Sequence, residues 1–293
     1  MKGVICALVT PFTHKGEIDK DGFVRQLEFM CGSGVNGFFV GGTTGEGAYL
    51  SPMEKQQLVA ITKQVSEGRQ AVCAVCIQPS TRAALSEIEI LLKAEPDYIA
   101  ATPPFYYSMT PKAIVDHYIA IAKASLVPLI LYDIPQHTHN PIPLEVIQEL
   151  SWHDKIVGIK DSTGDFVRFS RMLALSADKS FIWMQGNDYL DAVSLIIGAN
   201  AIVSGLSNVL PTLYVRLFNA HVRRDIAAVL TEQQQIQKLA RIIFAAGGND
   251  ISAIKAALEY LGRCSRWLRT AALSASDKAI REVGKILQEC GLD

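Results

Sequence analysis

A lysine stands at the end of a short apolar segment, in the sequence GIKDS at positions 158–162. A strand that ends in a lysine brings the amine close to an apolar interior, where burial disfavours the charged ammonium relative to the neutral amine. A neutral amine is a nucleophile towards ketones, so the segment makes Lys160 a candidate nucleophile. The competing interpretation is a lysine that points into solvent or pairs with Asp161, and this segment alone leaves both open.

Glycines and hydroxyl groups occur together in the sequence GGTTGEG at positions 41–47, directly after another apolar segment. Glycines let the backbone turn its N–H groups towards an anion, and Thr43 and Thr44 add two hydroxyl groups. Ala48 and Tyr49 stand where a nucleotide-binding P-loop requires Lys and Ser or Thr, and the glycine spacing differs from that of dinucleotide-binding loops. The segment therefore predicts a site for a small carboxylate, and the alternative is a flexible turn before the next helix.

Tyrosines follow two further apolar segments: Tyr132 in the sequence YDIP, and Tyr106 and Tyr107 in the sequence TPPFYY. A phenol hydroxyl can donate or accept a proton beside an amine or an alkoxide. A buried tyrosine more often serves packing, with its hydroxyl satisfied by a neighbour. The convergence of the tyrosines with Lys160 and the threonines favours chemistry over packing alone.

The elements that must position these residues alternate along the first two thirds of the chain. Short apolar segments are separated by amphipathic helical patterns, as in α/β proteins. Eight such segments predict strands at residues 3–9, 37–40, 71–77, 98–102, 129–132, 157–160, 181–185 and 201–204. Because the segments are almost continuously apolar, both faces of each strand should be buried, and eight β/α units predict a (β/α)8 TIM barrel. The active site of such a barrel lies at the C-terminal ends of its strands, where Lys160 and Tyr132 are expected.

The last part of the chain has a purely helical pattern. Helices are predicted at residues 210–222, 225–244, 251–261 and 276–290, and no Pro/Ser-rich linker precedes them. The last three exceed what an eighth barrel helix requires. We therefore predict a barrel over residues 1–224 and a C-terminal helical extension over residues 225–293 that packs on the barrel.

Charge and hydropathy exclude several classes of partner. The chain has 28 Lys+Arg and 29 Asp+Glu, a net charge of -1, so no basic field predicts binding to nucleic acid or to an anionic membrane. Its apolar segments are far shorter than the roughly 20 residues that cross a bilayer. The N-terminal segment lacks the pattern of a signal peptide, and we therefore expect a cytoplasmic protein.

The cysteines and histidines do not predict a metal or redox centre. The six cysteines are scattered among apolar residues, which indicates reduced thiols. Cys73 and Cys76 lie three residues apart in a predicted strand, so their side chains should point to opposite faces. The histidines show no metal-ligand spacing beside carboxylates or thiols, and we predict no metal site.

Six motifs together resemble one family, the class I pyruvate-dependent aldolases that include dihydrodipicolinate synthase and N-acetylneuraminate lyase. They follow that family's order and spacing over nearly the whole chain: LVTPF at 8–12, GGTTGE at 41–46, TPPFYY at 102–107, YDIP at 132–135, GIKDS at 158–162 and GLSN at 205–208. The resemblance implies a cofactor-free enzyme that acts on a small 2-keto acid and an aldehyde. It also implies a homotetramer built as a dimer of dimers.

The resemblance implies roles for the residues singled out above. Lys160 forms the Schiff base with the keto acid, and Tyr132 is the general acid and base over the bound substrate. Thr43 and Tyr106 connect Tyr132 to bulk protons, and Tyr106 matches the tyrosine that reaches in from a neighbouring subunit.

Further residues are implied in substrate binding. By the resemblance, Thr44 and the main chain near Val203 hold the pyruvate carboxylate. Ser162, Gly186 and Asp188 are expected around the rest of the substrate, where Ser162 and Asp188 bond to hydroxyl groups of its chain.

Departures from the family pattern bear on the choice of aldehyde. Dihydrodipicolinate synthases carry an arginine after the Tyr-x-x-Pro motif that binds the far carboxylate of the aldehyde, and His137 occupies that place here. An imidazole is neither permanently charged nor bidentate, so it substitutes poorly for a guanidinium. N-acetylneuraminate lyases show an Asp-Glu pair after strand seven, whereas the sequence GNDY at 186–189 keeps only Asp188.

These departures favour a lyase that reversibly splits a 2-keto-3-deoxy sugar acid, such as 2-keto-3-deoxygluconate, into pyruvate and an aldehyde. The alternatives are a dihydrodipicolinate synthase, a keto-deoxy-acid dehydratase, an N-acetylneuraminate lyase and a non-catalytic sensor that binds keto acids.

Overall fold

Eight parallel strands form a closed barrel in the computed structural model, which describes residues 1–175 and 180–292. The strands pair in chain order, and the last pairs with the first. They are β1 Gly3–Ala7, β2 Gly37–Val40, β3 Ala71–Cys76, β4 Tyr98–Ala101, β5 Leu129–Asp133, β6 Ile156–Asp161, β7 Ile182–Gln185 and β8 Ala201–Ser204. The predicted TIM barrel is confirmed, and the strand ends lie within two residues of those predicted.

Both faces of the strands are buried, which explains their almost continuous apolar sequences. Side chains that point inward, such as Ile5, Phe39 and Ile130, form a cluster inside the barrel, while the alternate side chains pack against the surrounding helices. Cys73 belongs to the inner cluster and Cys76 to the outer one, so the predicted opposite orientation is confirmed. All six cysteines have free thiols.

Helices follow the strands and enclose the barrel. Those of the described residues are α1 Lys20–Cys31, α2 Pro52–Ser66, α3 Thr81–Leu92, α4 Pro111–Ala124, α5 Pro135–Thr138, α6 Leu144–Leu150, α7 Phe166–Leu175, α8 Asp191–Ile196, α9 Pro211–Val222, α10 Ile226–Ala245, α11 Asp250–Tyr260 and α12 Asp277–Glu289. α2 illustrates how the sequence sets a helix start. The Ser51 hydroxyl accepts the N–H of Glu54, and the Glu54 carboxylate accepts the N–H of Ser51, which forms a capping box before Pro52.

One short helix is added to the single helix per strand that the β/α pattern predicts. α5 is a single turn that begins at Pro135, immediately after β5, and the left-handed His139 (φ 56°) ends it. This turn places Gln136 and His137 over the C-terminal end of the barrel.

The C-terminal helices α10, α11 and α12 begin and end within one residue of their predicted bounds. Their apolar side chains, such as Val229, Ile236 and Leu287, belong to the same buried cluster as the helices around the barrel. The division between residues 224 and 225 stays a prediction. None of the described helices has the length and apolar character needed to cross a membrane.

Candidate active site

Lys160 lies at the end of β6 with its side chain inside the barrel, and 6% of the residue is exposed. Its Nζ lies 4.1 Å from the ring centroid of Tyr132 and 5.5 Å from that of Phe39. Asp161 points to the other face of the strand, where it pairs with Arg168. The competing interpretation of a solvent-facing lysine or of a pair with Asp161 is therefore wrong.

Tyr132 stands beside Lys160 because β5 and β6 pair these two residues in register. The tyrosine is buried, and its hydroxyl forms a hydrogen bond of 3.0 Å with Thr43 Oγ1. The groups therefore form a continuous series from the amine, past the phenol ring, to the Thr43 hydroxyl. A phenol that bonds to a second hydroxyl can pass a proton to or from a substrate held on the amine.

The glycine–threonine loop, residues 41–47, carries both predicted threonines. Its backbone is held by two hydrogen bonds of 2.9 Å, from the N–H of Glu46 to the Thr43 carbonyl and from the N–H of Gly47 to the Gly42 carbonyl. A Cβ on Gly47 would lie 1.8 Å from the carbonyl oxygen of Gly41, so this tight turn requires glycine. The turn presents Thr43 and Thr44 to the cavity above the barrel.

A buried ion pair fixes this loop to the C-terminal extension. Glu46 has a left-handed backbone (φ 54°), and its Oε1 lies 2.5 Å from Nζ of Lys255 on α11. Lys255 also donates to the carbonyl oxygen of Trp267 at 2.9 Å, and the N–H of Arg269 donates to Glu46 Oε2 at 2.9 Å. Burial lowers the pKa of Lys255, and the Glu46 carboxylate opposes this shift. The sequence analysis missed Lys255 because it lies in an ordinary helical pattern.

A cavity of about 150 Å³ lies above Lys160 at the C-terminal ends of the strands. Nine of the ten predicted site residues line it: Thr43, Thr44, Tyr132, His137, Lys160, Ser162, Gly186, Asp188 and Val203. The structure therefore brings together almost all of the residues that the motifs indicated. They come from the ends of five strands, β2, β5, β6, β7 and β8, which is how a TIM barrel builds a site.

Tyr106 is the predicted site residue that does not line this cavity in the described part of the chain. It is 78% exposed, and its ring packs edge-on against that of Tyr107 at 5.0 Å. Its backbone is left-handed (φ 82°), a conformation that costs energy in a residue with a side chain. The predicted role of Tyr106 requires a second subunit and stays a prediction.

Gly186 makes room beside the lysine. A Cβ at this position would lie 2.2 Å from Ser162 Oγ and 2.9 Å from Lys160 Cε. A Cβ at these distances would force the Ser162 or Lys160 side chain to move, so glycine leaves room beside the amine. Ser162 lines the same wall, and its main-chain carbonyl accepts a hydrogen bond of 2.8 Å from Gln136.

The mouth of the cavity carries two carboxylates and an imidazole. Asp188 Oδ1 accepts hydrogen bonds from Ser204 Oγ and from the Tyr214 hydroxyl, the latter at 2.6 Å. Asp250, the first residue of α11, faces His137 across the mouth. Burial raises the pKa of both aspartates, and His137 opposes the rise at Asp250.

Eight residues that line this cavity were not predicted as site residues: Ala7, Ile134, Gln136, Gly205, Leu206, Ile243, Asp250 and Ile254. The last three belong to the C-terminal extension, whose helical pattern carries no mark of a strand end. Gln136 lies in the helical turn that follows Tyr132, next to the predicted His137, so its position along the chain was the available signal.

Comparisons with known proteins confirm the family resemblance. The profile of the Dihydrodipicolinate synthetase family matches residues 1–290. A 4-hydroxy-tetrahydrodipicolinate synthase of Methanosarcina barkeri is 32% identical over 291 residues, which cover 99% of each chain. Two solved structures have TM-scores of 0.94 and 27% identity and cover 100% of this chain: a dihydrodipicolinate synthase from Thermotoga maritima, covered to 99%, and a monomeric dihydrodipicolinate synthase variant, covered to 98%. The chain belongs to the dihydrodipicolinate synthetase family, whose members are pyruvate-dependent carbon–carbon lyases that form an imine with their substrate.

Proposed function

We propose that Lys160 forms the imine with C2 of pyruvate and that Tyr132 and Thr43 move the protons of the reaction. The supporting observation is the geometry of the three groups: a buried amine 4.1 Å from the Tyr132 ring, whose hydroxyl lies 3.0 Å from Thr43 Oγ1. Thr44 and the main chain at Val203 line the same cavity and hold the pyruvate carboxylate.

The reaction balances without a cofactor. Nζ of Lys160 attacks C2 of pyruvate, and a water molecule leaves to give a protonated imine. Tyr132 takes a proton from C3 to give an enamine, which attacks the aldehyde carbon of the second substrate. Tyr132 protonates the new alkoxide, and water then hydrolyses the imine to free Lys160. Cleavage follows the same steps in reverse.

The first candidate for the aldehyde is aspartate semialdehyde, the acceptor of a 4-hydroxy-tetrahydrodipicolinate synthase. Support comes from relatives of that name, which match almost the full length of this chain at about a third identity. Asp188 and Asp250 at the mouth can accept the ammonium group of this substrate. His137 then stands where the far carboxylate would lie.

The second candidate is an aldehyde derived from a 2-keto-3-deoxy sugar acid. It is favoured by the absence of an arginine among the described residues that line the cavity. Two carboxylates, Asp188 and Asp250, can accept hydrogen bonds from hydroxyl groups, whereas they repel an acceptor that carries a carboxylate at that point.

Imine formation is tested by trapping. The protein is incubated with pyruvate and borohydride, digested, and analysed by mass spectrometry for a reduced pyruvyl adduct. We expect the adduct on Lys160 and its loss in Lys160→Ala. Lys155→Ala is the matched control, because Lys155 precedes the same strand but bonds to the Ser125 carbonyl at the other end of the barrel. An unmodified Lys160 in the parent protein would overturn the proposal and favour a keto-acid sensor.

The acceptor is tested by turnover. Pyruvate is offered with aspartate semialdehyde, glyceraldehyde or N-acetylmannosamine, and kcat/KM is compared. The highest value with aspartate semialdehyde supports the first candidate, and the highest value with glyceraldehyde supports the second. If N-acetylmannosamine is preferred, or if none is accepted while the imine still forms, both candidates are wrong and the imine proposal stands.

The proposal extends to a homotetramer in which Tyr106 reaches a neighbouring site. The exposed, left-handed Tyr106 supports it, since a strained residue at the surface is often held for function. Analytical ultracentrifugation should give a tetramer, and Tyr106→Phe should lower kcat more than the control Tyr107→Phe. A fully active monomer would contradict this extension.

A further inference from the structure

Two buried carboxylates lie on the outer side of the strands that carry the proposed reacting groups. Asp133 follows Tyr132, Asp161 follows Lys160, and the register of β5 and β6 pairs each residue with its counterpart. Successive side chains of a strand point to opposite faces, so the aspartates point into the layer between strands and helices. Asp133 is 0% exposed and Asp161 is 1% exposed.

Arg168, on the first turn of α7, binds both carboxylates at once. Its Nη2 donates to Asp133 Oδ2 at 2.5 Å, and its Nη1 donates to Asp161 Oδ2. Nη2 also donates to the carbonyl oxygen of Ile142 at 2.6 Å. One guanidinium group therefore joins the end of β5, the end of β6 and the segment before α6.

The charged state of Asp133 and Asp161 depends on the Arg168 guanidinium. Burial raises the pKa of Asp133 to about 7, and Arg168 opposes that rise while Asp161 adds to it. Burial also raises the pKa of Asp161, and hydrogen bonds from Thr163 and the charge of Arg168 oppose it. Two neighbouring carboxylates in a dry layer would otherwise repel each other. A planar guanidinium suits this position because its separate N–H donors point towards two acceptors at once. A lysine ammonium group carries its donors on one nitrogen and cannot reach both acceptors with the same geometry.

We propose that Arg168 is a positioning residue for the reaction: its guanidinium fixes the ends of β5 and β6 relative to each other and thereby sets the position of Lys160 Nζ over the Tyr132 ring. This inference rests on the proposed function. Arg168 does not line the cavity. It acts through the two strand residues that precede its carboxylate partners.

Such a role affects the rate of the reaction more than the binding of pyruvate. The proposed carboxylate site at Thr44 and Val203 comes from β2 and β8, which Arg168 does not contact. The transfer of protons between Tyr132 and the intermediate on Lys160 depends on β5 and β6. A displacement of about 1 Å between reacting groups can cost about 100-fold in rate.

The test compares Arg168→Met, Arg168→Lys and a control that breaks a strand-joining ion pair elsewhere. Lys63→Met is the control: Lys63 binds Asp97 at 2.8 Å, and Asp97 accepts the N–H of Val72, where β3 and β4 begin at the opposite end of the barrel. For each protein, imine formation is followed by quenching with borohydride at increasing pyruvate concentrations. The maximal rate constant, the half-saturating pyruvate concentration and the melting temperature are measured.

We expect the maximal rate to fall about 100-fold in Arg168→Met and about tenfold in Arg168→Lys, with the half-saturating concentration changed less than about threefold. Lys63→Met should lower the melting temperature and keep the parental rate. The inference is overturned if Arg168→Met forms the imine at the parental rate, or if Lys63→Met loses as much rate. Should Arg168→Met not fold, Arg168→Lys decides alone, and a parental rate overturns the inference. A parent protein that forms no imine on Lys160 would instead refute the proposed function.

Discussion

Breaking the buried ion pair between Lys255 and Glu46 tests how the C-terminal extension holds the glycine–threonine loop. The two side chains are 0% and 2% exposed, and Nζ lies 2.5 Å from Oε1. Lys255→Met keeps an apolar stem but leaves the Glu46 carboxylate buried without its cation. Removing one partner of a buried ion pair costs about 3–5 kcal/mol. This is a large part of the roughly 5–15 kcal/mol by which a typical protein is stable.

The damage should reach the active site because Glu46 belongs to the loop that carries Thr43. The N–H of Glu46 donates to the Thr43 carbonyl, and Thr43 bonds to the Tyr132 hydroxyl. We therefore expect Lys255→Met to lower the melting temperature by about 10 °C and kcat by about tenfold. Thermal denaturation and steady-state kinetics on the same preparation measure the two effects.

A second substitution shows whether the unpaired Glu46 charge causes the loss of stability. Glu46→Gln in the Lys255→Met background removes the unpaired charge, so the double variant should be more stable than the single one. Lys112→Met is the control, since Lys112 pairs with Asp116 on the surface, and its loss should be without measurable effect. The reasoning is refuted if Lys255→Met retains parental stability, or if Glu46→Gln lowers the stability of the single variant further.

Three further expectations concern the cavity and its surroundings. Gly186→Ala places a Cβ 2.2 Å from Ser162 Oγ and should lower kcat/KM for pyruvate at least about tenfold in steady-state assays, because the wall must shift towards the amine. Thr43→Val should lower kcat about tenfold or more while Thr43→Ser keeps most of it, because only the hydroxyl can bond to Tyr132; equal losses in the two variants would contradict this role. Burial lowers the pKa of His117 to about 4 from 6.5, so the unfolded chain binds this proton more tightly and the protein loses stability as the pH falls from 6.5 to 4. The loss is about 3 kcal/mol by denaturation between pH 7 and 4, and His117→Gln should flatten that part of the profile.

The barrel could be predicted from the sequence because of a property that its strands share. Strands buried on both faces are almost continuously apolar, and polar residues follow where each strand meets the site. Apolar residues precede both Tyr132 and Lys160, and each of these polar residues lies where its strand reaches the site. The single turn α5 was missed because four residues are too short for helical periodicity, although Pro135 at its start is typical of a first helical turn.

The proposed reacting groups could also be predicted from the sequence, whereas the contacts that hold them in place could not. Lys160, Tyr132 and Thr43 each follow an apolar segment, and a barrel brings all strand ends to one side. Lys255 meets Glu46 across 209 positions of sequence, and nothing in the local pattern of α11 distinguishes a buried lysine from an exposed one. Asp250 was missed for the same reason. Contacts of this kind depend on how α11 packs over the barrel, which periodicity does not specify.

The residues that position the proposed reacting groups on β5 and β6 differ from the residues at the mouth that are proposed to contact the second substrate. In each strand, one residue turns inward to the proposed chemistry and the next turns outward to Arg168, so the spacing of Tyr132 and Lys160 is set from behind the cavity. The mouth is built from other elements, the turn that carries His137 and the extension that carries Asp250. Substitutions at the mouth can therefore change the aldehyde without moving the amine. For this reason family membership establishes the imine chemistry, while the acceptor has to be determined from residues such as Asp250 and by turnover.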